Sequence, residues 1–216
     1  MVKTTRTLVQ CDFDGTVTEE DVSYMLLDTF ASGDWRERLK EYEGGRISVG
    51  RFNTEAFSMV KADRATLVKM ARNDVKIRSG FSDFVHYCRE KGLRLVIVSN
   101  GLDFYIKEIL QSIGAGDVEI FAARTTFRPG ALEVKYVGPD GRCLDDDFKG
   151  AYVASFLKGG YRIIYVGNGA SDLKPAKLCH YVFATGTLLA RCQQTKINCL
   201  PFDDFTEIIK EMETLP

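Results

Sequence analysis

Residues 7–16 read Thr7-Leu8-Val9-Gln10-Cys11-Asp12-Phe13-Asp14-Gly15-Thr16. The first five are mostly apolar and β-prone, and the run stops at a carboxylate, which predicts a buried strand over 7–11. A polar, glycine-containing loop over 12–18 follows at once. Two carboxylates at the end of such a strand can take unlike roles when their surroundings differ. Asp12 is placed to attack phosphorus as a nucleophile. Asp14 is placed to protonate the departing oxygen and then to activate water. Gly15 lets the chain turn sharply, and the Thr16 hydroxyl can hydrogen-bond the loop or support a bound phosphoryl group. Asp-x-Asp alone is common in acidic turns. The full Asp-x-Asp-Gly-Thr after a buried strand is what points to chemistry.

Working outward, the apolar spacing becomes helical from residue 19 to about 73. Val22, Met25, Leu26 and Phe30 form one stripe, and Phe52, Ala56, Met59 and Val60 another. Breaks at Ser32-Gly33-Asp34 and Gly44-Gly45 divide this small helical module. A helix over 82–91, capped by Ser82 and stopped by Gly92, precedes a strand over 93–98 that ends at Ser99-Asn100-Gly101. A helix over 103–112 follows, then short strands within 117–147 and a helix near 149–157. A strand over 161–166 ends at Gly167-Asn168-Gly169; after a short helix come a strand over 181–184 and an amphipathic helix over 202–212. Apolar strands alternating with helices predict an α/β fold with a parallel sheet covered on both faces. Right-handed crossovers put the carboxyl ends of the strands on one edge, where ligands bind. Asp12, Ser99 and Asn168 should therefore converge there, with Lys149 from the start of the helix before the third strand.

Composition narrows the rest. The 216 residues suit one domain, or one carrying a small inserted module. With 45% hydrophobic and 27% charged residues, the chain can bury a core and is not expected to be disordered. Its 29 basic and 30 acidic residues leave a net charge of −1, so neither nucleic acid nor an anionic surface is an expected partner. No apolar run approaches the ~20 residues of a membrane span, and the N-terminus lacks the long apolar region of a secretory leader. Six scattered cysteines without a Cys-x-x-Cys pair read as reduced thiols of a cytoplasmic protein. His86 and His180 are too isolated to suggest zinc. No Gly-x-x-x-x-Gly-Lys-Ser/Thr occurs, which excludes an ordinary P-loop kinase or ATPase.

The converging residues have chemistry in common. The Ser99 hydroxyl can bind a phosphate oxygen, and the amides of Asn100 and Gly101, near a helix start, can add donors. Lys149 opposes the dipole of the helix it begins, so helix stability does not explain it; a cation there can neutralise a nucleophile and a phosphoryl group. Gly167-Asn168-Gly169-Ala170-Ser171-Asp172 lacks the third glycine of a dinucleotide turn. It suits a magnesium site in which Asp12, the Asp14 carbonyl, Asn168 and Asp172 supply hard oxygens.

In this order, Asp12-Phe13-Asp14-Gly15-Thr16, Ser99, Lys149 and the segment from Gly167 to Asp172 resemble the four motifs of the haloacid dehalogenase superfamily of phosphatases. The likeness spans nearly the whole chain. It implies a Rossmann-like core over 1–18 and 77–216, a C1-type helical cap over 19–76, and Mg2+ as cofactor. Asp12 would be the nucleophile and Asp14 the acid/base, while Ser99 and Lys149 would hold the phosphoryl group. The dehalogenating branch lacks the second aspartate, so Asp14 favours the phosphatases. The cap's size, Ser99-Asn100-Gly101-Leu102-Asp103-Phe104 and Lys149-Gly150 are similar to the phosphoserine-phosphatase-like group. Within it, Lys76-Ile77-Arg78-Ser79-Gly80-Phe81 and Leu200-Pro201-Phe202-Asp203-Asp204-Phe205 resemble phosphatases of methionine salvage.

Two departures stand out. The fourth motif usually begins Gly-Asp, where this chain has Gly167-Asn168, so the metal loses a charged ligand or leans on Asp172. Phosphoserine phosphatases also hold their amino acid with a cap acid and a cap arginine. Asp21 matches the acid, but an ungapped alignment puts Ala56 at the arginine, and Arg51 or Arg64 would replace it only if the cap helices shift. The expected function is a Mg-dependent phosphomonoesterase for a small phosphate ester, working as a monomer or homodimer through an aspartyl-phosphate. Thr16, Asp21, Phe52, Asn100 and Gly101 are the expected substrate contacts. Phosphoryl transfer to a second metabolite, and a binding protein impaired by Asn168, are the alternatives at this point.

Overall fold

The apolar run around Leu8 and Val9 is strand β1 (Arg6–Cys11), and Leu8, Val9, Gln10 and Cys11 are all buried. The structure is a computed structural model, described here over residues 6–215. β1 lies between β2 (Arg94–Leu102) and β5 (Tyr161–Gly167), parallel to both, with Cys11 opposite Ile97 on one side and Val166 on the other. Outside β2 come β3 (Glu119–Arg128) and its antiparallel partner β4 (Ala131–Lys135); outside β5 come β6 (Tyr181–Ala184) and the two-residue β7 (Leu200–Pro201). The seven-stranded order is β4-β3-β2-β1-β5-β6-β7. The chain leaves β1 toward β2 and later returns to its other side as β5, so the carboxyl end of β1 lies at the reversal of strand order, where such sheets bind ligands. The α/β class expected from the strand pattern is the one observed.

Of the five helices between β1 and β2, the first four form a layer of their own: α1 (Val22–Phe30), α2 (Trp35–Glu43), α3 (Val49–Phe57) and α4 (Arg64–Asp74). Each is short, and each has a side-chain cap: Asp21, Asp34, Ser48 and Asp63 accept from the amides of Tyr24, Arg36, Arg51 and Thr66. Such caps satisfy amides that a short helix would otherwise leave unpaired. Their shared core includes Tyr24, Trp35, Tyr42 and Phe52, with Tyr42 and Phe52 stacked at 5.7 Å. The chain enters and leaves this layer side by side, where Thr18 bridges to Ile77. Asn53 of α3 donates to Asn100 O at 3.0 Å and to Tyr136 Oη, tying the layer to the sheet.

The remaining helices are α5 (Phe81–Glu90), α6 (Asp103–Ser112), α7 (Phe148–Lys158), α8 (Leu173–Ala176), α9 (Gly186–Thr195) and α10 (Phe205–Met212). Three differences from the sequence reading have physical causes. Ser82 does not cap α5; Gly80 does, at φ 76, where a Cβ would press into Thr206 and Phe205 of α10. β2 runs on through Ser99 to Leu102 because it shifts register against β3 after Val98 instead of ending. α9 and β7 were not anticipated: α9 buries only Leu188 and Cys192, too sparse a stripe to read. Among the described residues no helix is long and apolar enough to cross a membrane.

Candidate active site

β1 delivers Asp12 to the edge of the sheet, where its amide still bonds Val166 O at 2.9 Å. Its carboxylate meets Lys149 Nζ at 2.9 Å, and the same ammonium lies 2.6 Å from Asp172 Oδ1. Gln10, buried inside β1, donates to Lys149 O at 3.1 Å and so fixes the first turn of α7 against the strand. Burial alone would lower the Lys149 pKa, but the charges of Asp12 and Asp172 outweigh it and hold the ammonium above its ordinary value. Asp12 is pushed up to about 7, first by burial and then by Asp172, with Lys149 opposing.

Asp172, one of the expected metal ligands, has its carboxylate engaged by the protein itself. Its Oδ1 accepts from Lys149 and, at 2.7 Å, from Tyr165 Oη; its Oδ2 accepts from the amides of Asn168 at 3.0 Å and Gly169 at 2.8 Å. Both oxygens are committed, so Asp172 orients Lys149 and shapes the turn after β5.

Asp14 lies beyond Asp12 with both oxygens held: Tyr105 Oη of α6 donates to Oδ2 at 2.6 Å, and the Val22 amide of α1 donates to Oδ1 at 3.2 Å. Burial and then the Asp21 charge raise the Asp14 pKa well above the usual carboxylate range, with Tyr105 pulling the other way. Ser99 is buried at the end of the neighbouring strand, and its Oγ accepts from the Gly101 amide at 3.0 Å, which leaves its O–H free to donate. Gly101 has no room for a side chain, because a Cβ there would fall inside the Asp14 carboxylate and the Tyr105 hydroxyl.

The loop and the fourth motif interlock. The buried Thr16 hydroxyl donates to Asn168 Oδ1 at 3.0 Å. Arg78 donates to Gly15 O and Thr16 O, each at 2.8 Å, and to Asp203 O at 2.9 Å. The fit to a divalent cation follows from the charges and donors. Among buried residues, Asp12 and Asp172 share the single ammonium of Lys149, which leaves negative charge uncompensated. Asn168 Oδ1 keeps a lone pair beyond its bond from Thr16. Asp12, the Asp14 carbonyl and Asn168 are thus the hard oxygens that suit Mg2+. No three His, Cys, Asp or Glu side chains among the described residues can chelate a metal by themselves, as expected once residue 168 is an amide.

A cavity of about 240 Å³ opens beside Lys149, walled by Tyr42 and Val49 of the four-helix layer, by Asn100 and Phe148, and by Leu173 and Arg191. Of the five expected substrate contacts, Asn100 alone lines it. Phe52 is buried at 2% exposure in the aromatic cluster, and Tyr42 stacked on it faces the cavity instead. Thr16 is committed to Asn168, the Gly101 amide to Ser99, and Asp21 to capping α1. Ala56 is fully buried; Arg51 pairs with Glu55 at 2.7 Å and Arg64 with Glu108 at 2.8 Å, so neither turns toward the cavity. Tyr105, Arg78, Gln10 and Tyr42 were not among the expected site residues: Arg78 and Gln10 stand in stretches read for likeness and for strand character, without a role of their own, and Tyr105 and Tyr42 stand outside every motif.

Comparison with known proteins agrees with this geometry. The sequence pattern of the haloacid dehalogenase-like hydrolases matches residues 9–177. A Bacillus velezensis protein named 2-hydroxy-3-keto-5-methylthiopentenyl-1-phosphate phosphatase is 31% identical, covering 98% of this chain and 92% of its own. A Geobacillus kaustophilus protein of the same name is 29% identical over 95% of this chain and 94% of its own. Among solved structures, a phospho-aspartyl intermediate analogue of phosphoserine phosphatase superposes with a TM-score of 0.71 at 18% identity, covering 96% of this chain and 99% of that one. With the loop, the strand ends and the profile in agreement, the chain belongs to the haloacid dehalogenase-like hydrolases.

Proposed function

We propose that this hydrolase is a Mg2+-dependent phosphatase whose substrate is an enol phosphate of the type named for its relatives, 2-hydroxy-3-keto-5-methylthiopentenyl-1-phosphate. The observation that carries the reading is the Asp12–Lys149–Asp172 chain at the edge of the sheet, with Asp14 held two residues on. Asp12 attacks phosphorus in line; its O–P bond forms as the ester P–O bond breaks, and Asp14 gives its proton to the departing oxygen. Water, deprotonated by Asp14, then attacks the aspartyl-phosphate and restores Asp12. Lys149 and the Ser99 hydroxyl hold the phosphoryl oxygens through both steps. When bound by Asp12, the Asp14 carbonyl and Asn168, Mg2+ would neutralise charge and polarise a phosphoryl oxygen.

Residues 19–76 act as a cap over this centre, and the paired crossings at Thr18 and Ile77 support that division from the core at 1–18 and 77–216. Residues 1–5 and 216 of that expectation lie outside the described residues. Substrate preference is supported by the cavity wall. Tyr42, Val49, Phe148 and Leu173 suit an apolar thioether tail. The arginines at 51 and 64 are paired elsewhere, which disfavours the amino-acid end of phosphoserine. The cysteines are free among the described residues, in keeping with a cytoplasmic setting.

The test is phosphate release from the enol phosphate and from phosphoserine with added Mg2+. The enol phosphate should be strongly preferred, and Asp12→Asn should be folded and inactive on both. Normal turnover by Asp12→Asn would remove the nucleophile assignment; preference for phosphoserine would remove the substrate.

A further inference from the structure

Tyr105 sits in the first turn of α6, fully buried, and its ring packs against Phe13 and Phe104. A tyrosine so placed needs a partner for its hydroxyl. It has two: it donates to Asp14 Oδ2 at 2.6 Å, and Ser23 Oγ of α1 lies 2.9 Å from it. With the Tyr105 proton given to Asp14, Ser23 is the donor in the second bond. Ser23 is itself buried, so a three-membered chain Ser23–Tyr105–Asp14 runs from the first cap helix, through a core helix, to the carboxyl group. The Val22 amide from the same cap helix holds the other Asp14 oxygen. Gly101 leaves open the space that the carboxylate and phenol occupy together.

We propose that Tyr105 is the positioning residue that sets the orientation of Asp14 for proton delivery, with Ser23 holding the phenol in place from the cap. The proposal rests on the reading of Asp14 as acid/base. An aspartate has two free side-chain torsions, and a proton donor misplaced by a fraction of an ångström loses much of its effect. Donors from two elements on the two carboxyl oxygens reduce those torsions to one arrangement. The proton then passes from Asp14 to the ester oxygen as the P–O bond breaks, while Tyr105 keeps its own.

The test uses leaving groups of different need. In 4-nitrophenyl phosphate the phenolate departs without a proton; in propyl phosphate the alkoxide needs one. Tyr105→Phe keeps the ring contacts and removes the hydroxyl. It should lower the single-turnover rate of alcohol release from propyl phosphate, which reports the first step alone, by on the order of tenfold to a hundredfold, a part of the full general-acid contribution because Asp14 itself remains. The single-turnover rate of phenolate release from the aryl ester should change by less than about twofold, while the later hydrolysis of the aspartyl-phosphate, where Asp14 is the base, slows alike for both esters. Ser23→Ala should show the same selectivity, more weakly, and serves if Tyr105→Phe folds poorly. Equal losses in the single-turnover release rates of both esters, or none in either, would overturn the proposal. Asp14→Asn separates the two levels. If it discriminates between the esters and Tyr105→Phe does not, the Tyr105 role alone fails; if it does not discriminate, the acid assignment fails and this proposal with it.

Discussion

Lys149 Nζ and Asp172 Oδ1 stand 2.6 Å apart with side-chain exposures of 4% and 0%. Removing the cation would leave Asp12 and Asp172 buried without it. Breaking a buried pair from one side costs about 3–5 kcal/mol. Lys149→Met should therefore lose that order of stability in urea unfolding as well as all measurable phosphate release. Unchanged stability would show that the ammonium is not what balances those carboxylates.

Asn168 offers a hard oxygen but no charge, and Asp at this position would add one. Asn168→Asp should lower the Mg2+ concentration for half-maximal activity by about tenfold, the equivalent of ~1.4 kcal/mol of added attraction at short range. Without metal the variant should be less stable than the parent, since a further carboxylate joins Asp12 and Asp172. A Mg2+ titration of activity, paired with melting in EDTA, checks both; an unchanged half-saturation point would argue that residue 168 does not touch the ion.

Arg78 holds three carbonyl oxygens with one guanidinium, at Gly15, Thr16 and Asp203. Arg78→Ala leaves those acceptors short of a charged donor, at a cost of about 1–3 kcal/mol. Since Gly15 and Thr16 follow Asp14 directly, kcat should fall too, and added guanidinium ion should recover part of it. Activity equal to the parent's would mean that the loop keeps its shape unaided.

Asp204 caps α10, accepting from Thr206 N at 2.8 Å, Thr206 Oγ1 at 2.6 Å and Glu207 N at 3.2 Å. The Thr206 hydroxyl is the main cause of its lowered pKa. For a depressed carboxylate the stabilisation is complete above the unfolded value of about 3.9 and is lost as pH falls through the folded value. Asp204→Ala should cost about 0.5–2 kcal/mol at neutral pH. The gap between parent and variant should narrow only in acid below about pH 4. Urea midpoints compared across that range give the answer; a gap that widens in acid contradicts the sign.

Much of the centre was legible because it hangs on backbone topology. A buried strand ending in Asp12 and another reaching Ser99 had to meet on one edge, and Lys149 and Asn168 came with their own strand and helix ends. What stayed hidden depends on side-chain direction. Tyr105 lies two residues past Asp103 on an amphipathic helix, where an aromatic reads as core packing, which it also is. Only its hydroxyl, aimed at Asp14, separates the two roles. Phe52 and Tyr42 are a stacked pair, and sequence spacing cannot say which ring faces the cavity. The spacing of Asp172 suggests a ligand; the four donors on its carboxylate, which tie it to Lys149 and the turn, are visible only in the structure.

Gly15 adopts φ +72, and the Asn168 amide fills the place where a Cβ would go. The loop after β1 and the turn after β5 thus press on a common volume, with no slack on the Gly15 side. Position 168 can exchange an amide for a carboxylate of equal bulk, but position 15 cannot take a side chain without colliding with it. Over evolutionary drift the electrical character of that corner is adjustable, whereas its size is not.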